Sequence, residues 1–502
     1  MIEKIYKAPA YHHVDQSESD CMKGKPYDTA NEICEPIVPD APDMSVETAI
    51  NMANTLRTTL SSSSIAPVVL IPGFLMSGEF FWFDALSHHS KIIAAQVGGA
   101  SSLHDRACEL FYQLVGGRVD YGEEHSKTCG HSRYGATFEK GLHPQFSAEN
   151  PIHLIGYSFG GPTARVFQQY LHEKRFTGYS NTDASWVRSL TTVCAPHNGT
   201  TAAHSVGGLR IGEQGVTKPF RTGWLATKLV HAYDWLDISF LKDRVFHPRL
   251  EHWGYQRRNA TSLWDSLSKL ATTMYKSPLV APHGDNAGDD LSPAKMMKIN
   301  KTMEDTFPCT YYLSFTAQST TGSRWWSRHL PSCFSFMWLS SAVMATRKYT
   351  TEQLQMMYAH ADFGSNEKLG ILREGLYAND GLVNVASQGH PGLCFNHPSR
   401  SRLQSEILNE LVLDRNPCPV TGKIKSTESK CVHRHSLAEH IAEEGTLSKG
   451  KWYVSDLLNY DHVTLLTMPT CRKRTSAFFM ELYECLRMLP ESLQLVEDSE
   501  AA

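Results

Sequence analysis

Short runs of apolar residues alternate with helical patterns along most of the chain. Pro67–Pro72 is one such run, closed by Gly73, and Ile152–Gly156 is a second. Such runs are typical of buried strands. Two further segments, Ser189–Cys194 and Thr310–Phe315, are rich in the residues that strands favour. Helical spacing of Ala164, Phe167 and Leu171 predicts a helix over Gly161–Lys174. Strands that alternate with helices predict an α/β fold with a mainly parallel sheet covered on both faces.

Three parts of the chain lack this alternation of apolar runs and helical patterns: the two ends and one internal segment. Residues 1–64 are polar and proline-rich, which predicts an N-terminal extension before a body at 65–490 and a tail at 491–502. Residues 391–455 are rich in Ser, Lys, His and Glu and predict a solvated insertion with a helix near Leu403–Leu413. Met1–Ala10 contains no apolar segment like that of a secretory signal, which predicts a cytoplasmic protein.

Composition excludes several classes of protein. The chain has 502 residues, 41% of them hydrophobic, and a formal net charge of −4. A chain of this size and composition can bury a large core, so whole-chain disorder, collagen and coiled coil are excluded. The near-neutral charge gives no sign of a nucleic-acid partner. No stretch is long and apolar enough to predict a transmembrane helix. The 12 cysteines form no Cys-x-x-Cys pair, which predicts reduced thiols.

A Gly-x-Ser-x-Gly motif lies between the second strand and the helix that follows it. The residues are Gly156-Tyr-Ser158-Phe159-Gly160. In a nucleophile elbow, the serine occupies a strained strand-to-helix turn where neighbouring side chains would clash. The turn also places the next amide, that of Phe159, at a helix start, where it can stabilise developing negative charge. The alternative is a glycine-rich turn after a core strand.

A serine nucleophile requires a base and an acid that orients the base. In α/β-hydrolases the order along the chain is Ser, then Asp or Glu, then His. Asp380, in an Asn-Asp-Gly turn, and His462, just before an apolar pair, fit that order. The alternatives are an ordinary Asp-Gly turn and a surface histidine. Phe74, after the first strand, is the candidate for the second oxyanion amide, although Gly73 could simply end that strand.

Several longer motifs occur in one fixed order around these residues. They are Ser102–Glu109, Gln113–Gly117, Val119–Gly122, Thr192–His197, His252–Gly254, Tyr311–Phe315, Asn379–Gly381 and Asp461–His462. With the elbow, they resemble the thermoalkaliphilic and staphylococcal triacylglycerol lipase family over roughly residues 66–490. The resemblance implies an α/β-hydrolase fold with a helical lid, here within 201–241. It implies Ser158 as nucleophile, Asp380 as acid and His462 as base, with an oxyanion hole formed by the amides of Phe74 and Phe159.

The resemblance also implies a structural zinc site in a small extra subdomain. Its ligands would be Asp105, His125, His131 and Glu251, the last standing where the family has aspartate. Four protein ligands with no open position indicate a structural ion. The family also has a calcium site, but Thr464 replaces one of its carboxylates here. Because calcium needs several charged oxygen ligands, we expect no calcium site.

These features together predict a serine ester hydrolase that cleaves acylglycerols or related lipid esters. An amphipathic lid predicts transient contact with a lipid interface. Two other functions stay open at this stage. An acyltransferase or thioesterase would use the same three residues, and a non-catalytic lipid-binding protein would use only the fold.

Overall fold

The structure is a computed structural model. It describes most of the chain from the first predicted strand onward, namely residues 66–76, 82, 91–212, 220–236, 242, 247–254, 261–275, 285–322, 329–331, 337–358, 366–392, 431–444, 447–458, 460–464 and 472–490.

A seven-stranded sheet lies at the centre, with the order β10-β11-β7-β6-β5-β1-β2 and every neighbouring pair parallel. Two antiparallel pairs, β3 with β4 and β8 with β9, lie outside it. The strands are β1 (Val68–Ile71), β2 (Ile92–Ala94), β3 (Gly117–Asp120), β4 (Tyr134–Phe138), β5 (Ile152–Tyr157), β6 (Val187–Val193), β7 (Tyr311–Gln318), β8 (Thr320–Gly322), β9 (His329–Pro331), β10 (Cys431–Arg434) and β11 (Trp452–Leu458).

Helices connect the strands and cover the sheet. They are α1 (Leu103–Val115), α2 (Glu123–Cys129), α3 (Gly160–His172), α4 (Ala202–Ser205), α5 (Thr222–Leu236), α6 (Leu263–Tyr275), α7 (Ala287–Asp290), α8 (Pro293–Lys301), α9 (Trp338–Thr346), α10 (Thr351–Met357), α11 (Asn366–Gly375), α12 (Val385–Gln388), α13 (Leu437–Glu444) and α14 (Arg472–Met488). Within the described part of the chain, none of them combines the length and hydropathy that crossing a bilayer requires.

Two hydrophobic cores pack against opposite faces of the sheet. Successive residues of β1 alternate between them: Val69 belongs to the core that contains α1 and α3, and Val68 to the core that contains α14. Every residue of β1 and of β5 is buried. Strands buried on both faces have continuous apolar runs rather than alternating ones. The structure therefore confirms the predicted α/β fold with a mainly parallel sheet.

The four predicted strands correspond to β1, β5, β6 and β7, and the predicted helix to α3. In the central sheet, strands β2, β10 and β11 were not predicted from the sequence. The last two lie in or overlap 391–455, so this segment completes one edge of the sheet rather than forming only a solvated insertion. Trp452, Tyr453 and Val454 of β11 are fully buried despite the polar composition around them. The predicted extension 1–64, the helix near Leu403–Leu413 and the tail 491–502 lie outside the described residues.

A buried arginine ties β1 to α1 and α3. Arg106 is fully buried, and its guanidinium donates hydrogen bonds to the carbonyl of Pro72, to Gly98 O at 2.8 Å and to Thr163 Oγ1 at 2.9 Å. It also lies over the Phe159 ring, 5.0 Å from its centroid. Burial lowers the pKa of Arg106 to about 9, so the group stays charged at neutral pH. One side chain thus holds the loop after β1 against the start of α3.

We expect Arg106→Met to destabilise the protein by about 3 kcal/mol, because several buried oxygens would lose their donor. Denaturant unfolding measures the change. Arg175→Met is the matched control: Arg175 is 53% exposed and pairs with Glu173 at the surface, so its loss costs less than about 1 kcal/mol. Equal destabilisation by the two substitutions would contradict the role given to Arg106.

Candidate active site

Ser158 lies in the turn between β5 and α3, at the carboxyl end of the sheet. Its φ of 52° is in the left-handed region, which costs a residue with a side chain about 1–2 kcal/mol. The Ser158 N–H donates to Val193 O at 2.8 Å, and its carbonyl accepts from Gly161 N at 2.9 Å. These bonds hold the strained turn and direct the side chain toward the end of the sheet.

Glycines at the elbow are required by close approach of the backbone. A Cβ at Gly160 would lie 2.1 Å from Ile71 O, and one at Gly156 would lie 2.4 Å from Gly160 O. At Gly161 it would lie 2.5 Å from Ala195 Cβ. Each distance is below any normal contact, so a side chain at these positions would push α3 away from the sheet. The alternative of an ordinary glycine-rich turn does not require this combination of contacts.

The structure brings Ser158, His462 and Asp380 into one chain of hydrogen bonds. His462 Nε2 is 2.8 Å from Ser158 Oγ, and His462 Nδ1 is 2.7 Å from Asp380 Oδ2. The tautomer that satisfies both contacts carries its proton on Nδ1, donates it to Asp380 and accepts from the serine hydroxyl. All three residues are buried. This is the arrangement in which an imidazole can take the proton of a serine.

Asp380 is fully buried, and each oxygen of its carboxylate accepts two hydrogen bonds. Oδ1 accepts from Leu382 N at 2.9 Å and from Val383 N at 2.7 Å. Oδ2 accepts from Gln388 Nε2 at 3.1 Å as well as from His462. A buried carboxylate is tolerated only when such bonds replace its hydration. Sequence analysis gave no signal for the part that Gln388 plays.

The backbone of His462 is held independently of its ring. His462 N donates to Asp380 O at 2.8 Å, and the Tyr157 hydroxyl donates to His462 O. The turn after the histidine is closed locally: Thr464 Oγ1 donates to Asp461 Oδ1 at 2.6 Å. Thr464, the residue at the family's calcium position, therefore makes a hydrogen bond within its own turn.

The two predicted oxyanion residues belong to backbone segments close to Ser158. Phe159 follows it directly and caps α3, and Phe74 lines the same cavity as Ser158. The loop that carries Phe74 passes close to the nucleophile, since a Cβ at Gly73 would lie 3.0 Å from Ser158 Cβ. Both amides thus belong to backbone that adjoins the serine.

An apolar cavity of about 250 Å³ opens at Ser158 and His462. Its walls come mainly from the loop after β1, α4, α5 and the segment after Asp380. The apolar lining residues include Leu75, Ala202, Val206, Leu209, Ala226, Val230, Leu291 and Leu382. A nucleophile at the end of an apolar cavity suits a substrate with a hydrocarbon chain next to the reacting carbonyl.

Helix α5, in the predicted lid region, has two unlike faces. Gly223, Ala226, Thr227 and Val230 line the cavity. Leu225 and Leu229, one turn apart, are 47% and 69% exposed. Leu225 and Leu229 thus expose apolar side chains on the helix that covers the cavity. Residues 213–219 and 237–241 of the predicted lid lie outside the described part of the chain.

A second group of polar side chains joins α1, α2 and three further segments of the chain. Asp105 Oδ1 lies 3.4 Å from His125 Nε2, and Asp285 Oδ2 lies 3.0 Å from the same atom and 3.3 Å from His131 Nε2. His252 Nε2 is 3.0 Å from Asp105 Oδ2. We call these five residues the α1–α2 cluster. Cys129 Sγ lies with them, one turn after His125 on α2.

The α1–α2 cluster needs positive charge at its centre. Both oxygens of the buried Asp105, His131 Nε2 and both ring nitrogens of His252 make no hydrogen bond of acceptable geometry. Burial opposes protonation of the histidines, but Asp105 and Asp285 raise the pKa of His125 to about 12, and Asp285 raises that of His131 to about 10. Converging carboxylates and imidazoles of this kind fit a divalent cation.

One of the four predicted metal ligands lies apart from the other three in the structure. Glu251 lies outside the cluster, and its nearest charged partner is His247, with Nε2 3.7 Å from Glu251 Oε1. Its neighbour His252 and the distant Asp285 point into the cluster instead. Glu251 was chosen by its place before a Trp-Gly pair, whereas Asp285 has no motif around it. Its contact depends on the path of the loop before α7, which no local pattern reveals.

Comparison with known proteins identifies lipases and lipase-like proteins as similar to this chain. The family model described as "Lipase-like, C-terminal domain" matches residues 83–353, which is more than half of the chain. The chain is 31% identical over 240 residues to a lipase of Staphylococcus hyicus and 28% identical over 271 residues to lipase 2 of Staphylococcus aureus. These alignments cover 45% and 50% of this chain but 34% and 35% of the relatives. The chain thus spans about a third of their length.

Solved structures show the same fold. The crystal structure of S. hyicus lipase superposes with a TM-score of 0.58 at 21% identity, covering 84% of this chain and 95% of that one. EstA from Clostridium botulinum gives a TM-score of 0.58 at 22% identity, covering 86% and 91%. The α/β-hydrolase type of fold is therefore shared, and the extended match to the family model establishes that this chain belongs to the lipase-like C-terminal domain family.

Proposed function

We propose that this chain is a lipase-like serine hydrolase that cleaves carboxylic esters of lipids. The observation that carries the proposal is the hydrogen-bond chain from Asp380 through His462 to Ser158, which opens into an apolar cavity. The lipases to which the chain is similar add support. The alternative of a non-catalytic lipid-binding protein leaves the strained Ser158 turn and the saturated Asp380 carboxylate without a purpose.

The proposed reaction proceeds through an acyl-enzyme. Ser158 Oγ attacks the ester carbonyl while His462 Nε2 takes its proton, and the C–O bond to the alcohol breaks as His462 returns that proton to the leaving oxygen. Asp380 keeps the Nδ1 proton in place and stabilises the imidazolium. The amides of Phe74 and Phe159 stabilise the oxyanion. Water, deprotonated by His462, then releases the acid and restores the serine.

The acyl chain of the substrate would occupy the cavity, and α5 would control its access. The outward Leu225 and Leu229 favour contact with a lipid surface, where their exposed area would be removed from water. The proposed interface contact and the roof of the cavity would then belong to one helix. A lipid surface is therefore the setting in which the site would meet its substrate.

We also propose that the α1–α2 cluster binds a structural zinc ion. Asp105, His125 and His131 would bind it together with Asp285, and His252 would contact Asp105 from the other side. When bound, zinc would supply the positive charge that these side chains require and would fix α2 and β4 to α1. The cluster does not include Ser158, so its residues take no part in the proposed chemistry.

The first prediction concerns acyl-chain length. Hydrolysis of p-nitrophenyl esters should rise with chain length, with kcat/KM increasing by up to about fourfold per methylene until the cavity is full. Ser158→Ala should reduce kcat by about a thousandfold or more. The exposed Ser180→Ala is the matched control and should keep full activity. Activity that survives in Ser158→Ala would refute the proposal, whereas activity restricted to an added alcohol or thiol acceptor would indicate an acyltransferase.

The second prediction concerns α5. Replacing Leu225 and Leu229 by Gln should lower hydrolysis of an emulsified triacylglycerol about tenfold, a loss of about 1.4 kcal/mol, because less apolar surface would enter the interface. Hydrolysis of soluble p-nitrophenyl butyrate should stay within about twofold. Met480→Gln, at an exposed position on α14, is the control. Equal losses on both substrates would show that α5 has no interfacial role.

The third prediction concerns the metal ligands. Asp285→Asn should lower zinc affinity at least about tenfold, because it removes a charged ligand, whereas Glu251→Gln should leave it unchanged. Zinc bound after dialysis, counted by mass spectrometry of the element, and the zinc-dependent rise in Tm measure the effect. If Glu251→Gln lowered zinc affinity and Asp285→Asn left it unchanged, Glu251 would be the ligand, and the arrangement seen in the structure would be contradicted.

A further inference from the structure

A second group of metal-ligating side chains lies at the edge of the central sheet, apart from the α1–α2 cluster. It consists of His390, Cys431 and His433, which we call the edge cluster. One donor atom from each residue lies within 4.8 Å of the others. None of these residues belongs to the proposed catalytic machinery, and the inference does not depend on the proposed function.

The strand β10 places two of the three donors side by side. Cys431 and His433 are two residues apart on this edge strand, so their side chains leave the same face. The ladder with β11 holds that register, with Cys431 opposite Trp452 and His433 opposite Val454. Cys431 packs against the same hydrophobic core as Trp452 and Val454. Val432, which lies between Cys431 and His433 in the sequence, packs against the core on the opposite face of the sheet. The Cys-x-His spacing thus presents a thiol and an imidazole together.

The third donor, His390, comes from a different part of the chain, the segment that follows helix α12. Its backbone is anchored by the buried Asn198, whose Nδ2 donates to His390 O at 3.0 Å. Asn198 Oδ1 also accepts from Gly392 N at 2.9 Å. The segment that carries His390 is therefore tied to the loop after β6, and its position is set by the body of the protein rather than by β10.

One ring nitrogen of His390 is committed to a backbone hydrogen bond. His390 Nδ1 lies 2.7 Å from Pro391 O and can only donate there, because a carbonyl only accepts. Nε2 is then the ring nitrogen that remains for a metal ion. Histidines that bind metals commonly donate their second N–H to a backbone carbonyl in this way. The His390 ring meets the His433 ring nearly edge-on, with centroids 6.3 Å apart.

We propose that His390, Cys431 and His433 bind a zinc ion that fastens the edge strand β10 to the body of the protein. A thiolate with two imidazoles is a donor set that zinc prefers, and it excludes calcium and magnesium, which select oxygen ligands. In a tetrahedral zinc site, such donors are about 3.5 Å apart, so small side-chain rotations would close the cluster. Three protein ligands leave the fourth position for water or another donor.

The proposed ion would also connect the segment 391–455 to the triad. His390 lies two residues after Gln388, whose side chain donates to Asp380 Oδ2 at 3.1 Å. An ion at His390 would hold one end of this connection, and β10 would hold the other. Strand β10, which lies within the segment predicted to be a solvated insertion, would then brace the loop that positions the catalytic acid.

The test counts zinc in the full-length protein after chelation, reloading and dialysis. Wild type should retain about two equivalents if both clusters are loaded, and Cys431→Ser and His433→Gln should each lose about one. Cys309→Ser is the matched control, since Cys309 is, like Cys431, a half-buried cysteine outside any disulfide, but it lies outside both clusters. Using two variants keeps the test valid if one of them fails to fold, which circular dichroism would reveal.

Cobalt(II) loading identifies the donor directly. The thiolate-to-cobalt charge-transfer absorption of the loaded protein should weaken in Cys431→Ser and persist in Cys309→Ser. Cys129→Ser is measured alongside, because Cys129 lies in the α1–α2 cluster, and the part of the absorption assigned to the edge cluster should survive it. Folded Cys431→Ser protein that keeps the zinc content and the cobalt absorption of wild type would overturn the proposal.

Discussion

Burial of the Asp380 carboxylate is the constraint on which the rest of the site depends. A charge with no exposed surface must replace its water by hydrogen bonds, and here four donors do so: two amides of its own turn, Gln388 and His462. Three of these donors come from the segment that follows Asp380, which curls around the carboxylate. The fourth comes from 82 residues further along the chain and becomes the orienting bond of the imidazole.

The other half of the site is set by how closely α3 approaches the sheet. Only glycines permit the contacts among Gly156, Gly160 and Ile71, and the resulting turn holds Ser158 at a positive φ. Arg106 stabilises the same region because its guanidinium donates hydrogen bonds to the loop after β1 and to α3. The strain at Ser158 is therefore balanced by well-packed and hydrogen-bonded surroundings, as expected where backbone strain serves a reactive group.

Much of the fold was predictable because its central strands are continuous apolar runs and α3 has a clear helical period. The edge strands were not, because β2 has only three half-buried residues and β10 lies in a polar segment. Local geometry around Ser158 followed from its motif, whereas Asp380 and His462 required the resemblance of longer motifs. Gln388 lies only eight residues after Asp380, but no motif marks it as a donor to the carboxylate. Asp285 and His252 contact their partners because the chain path brings distant residues together, and no spacing in the sequence encodes such a path.

The central claim is that His462 and Asp380 activate Ser158. The most direct measurement is the rate at which a fluorophosphonate labels the protein, with the modified peptide identified by mass spectrometry. The account predicts a single adduct on Ser158 in wild type, loss of labelling in Ser158→Ala, and rates at least about a thousandfold lower in His462→Ala and Asp380→Asn. Labelling of Ser158 at the wild-type rate in folded His462→Ala, or an adduct at another residue, would contradict it.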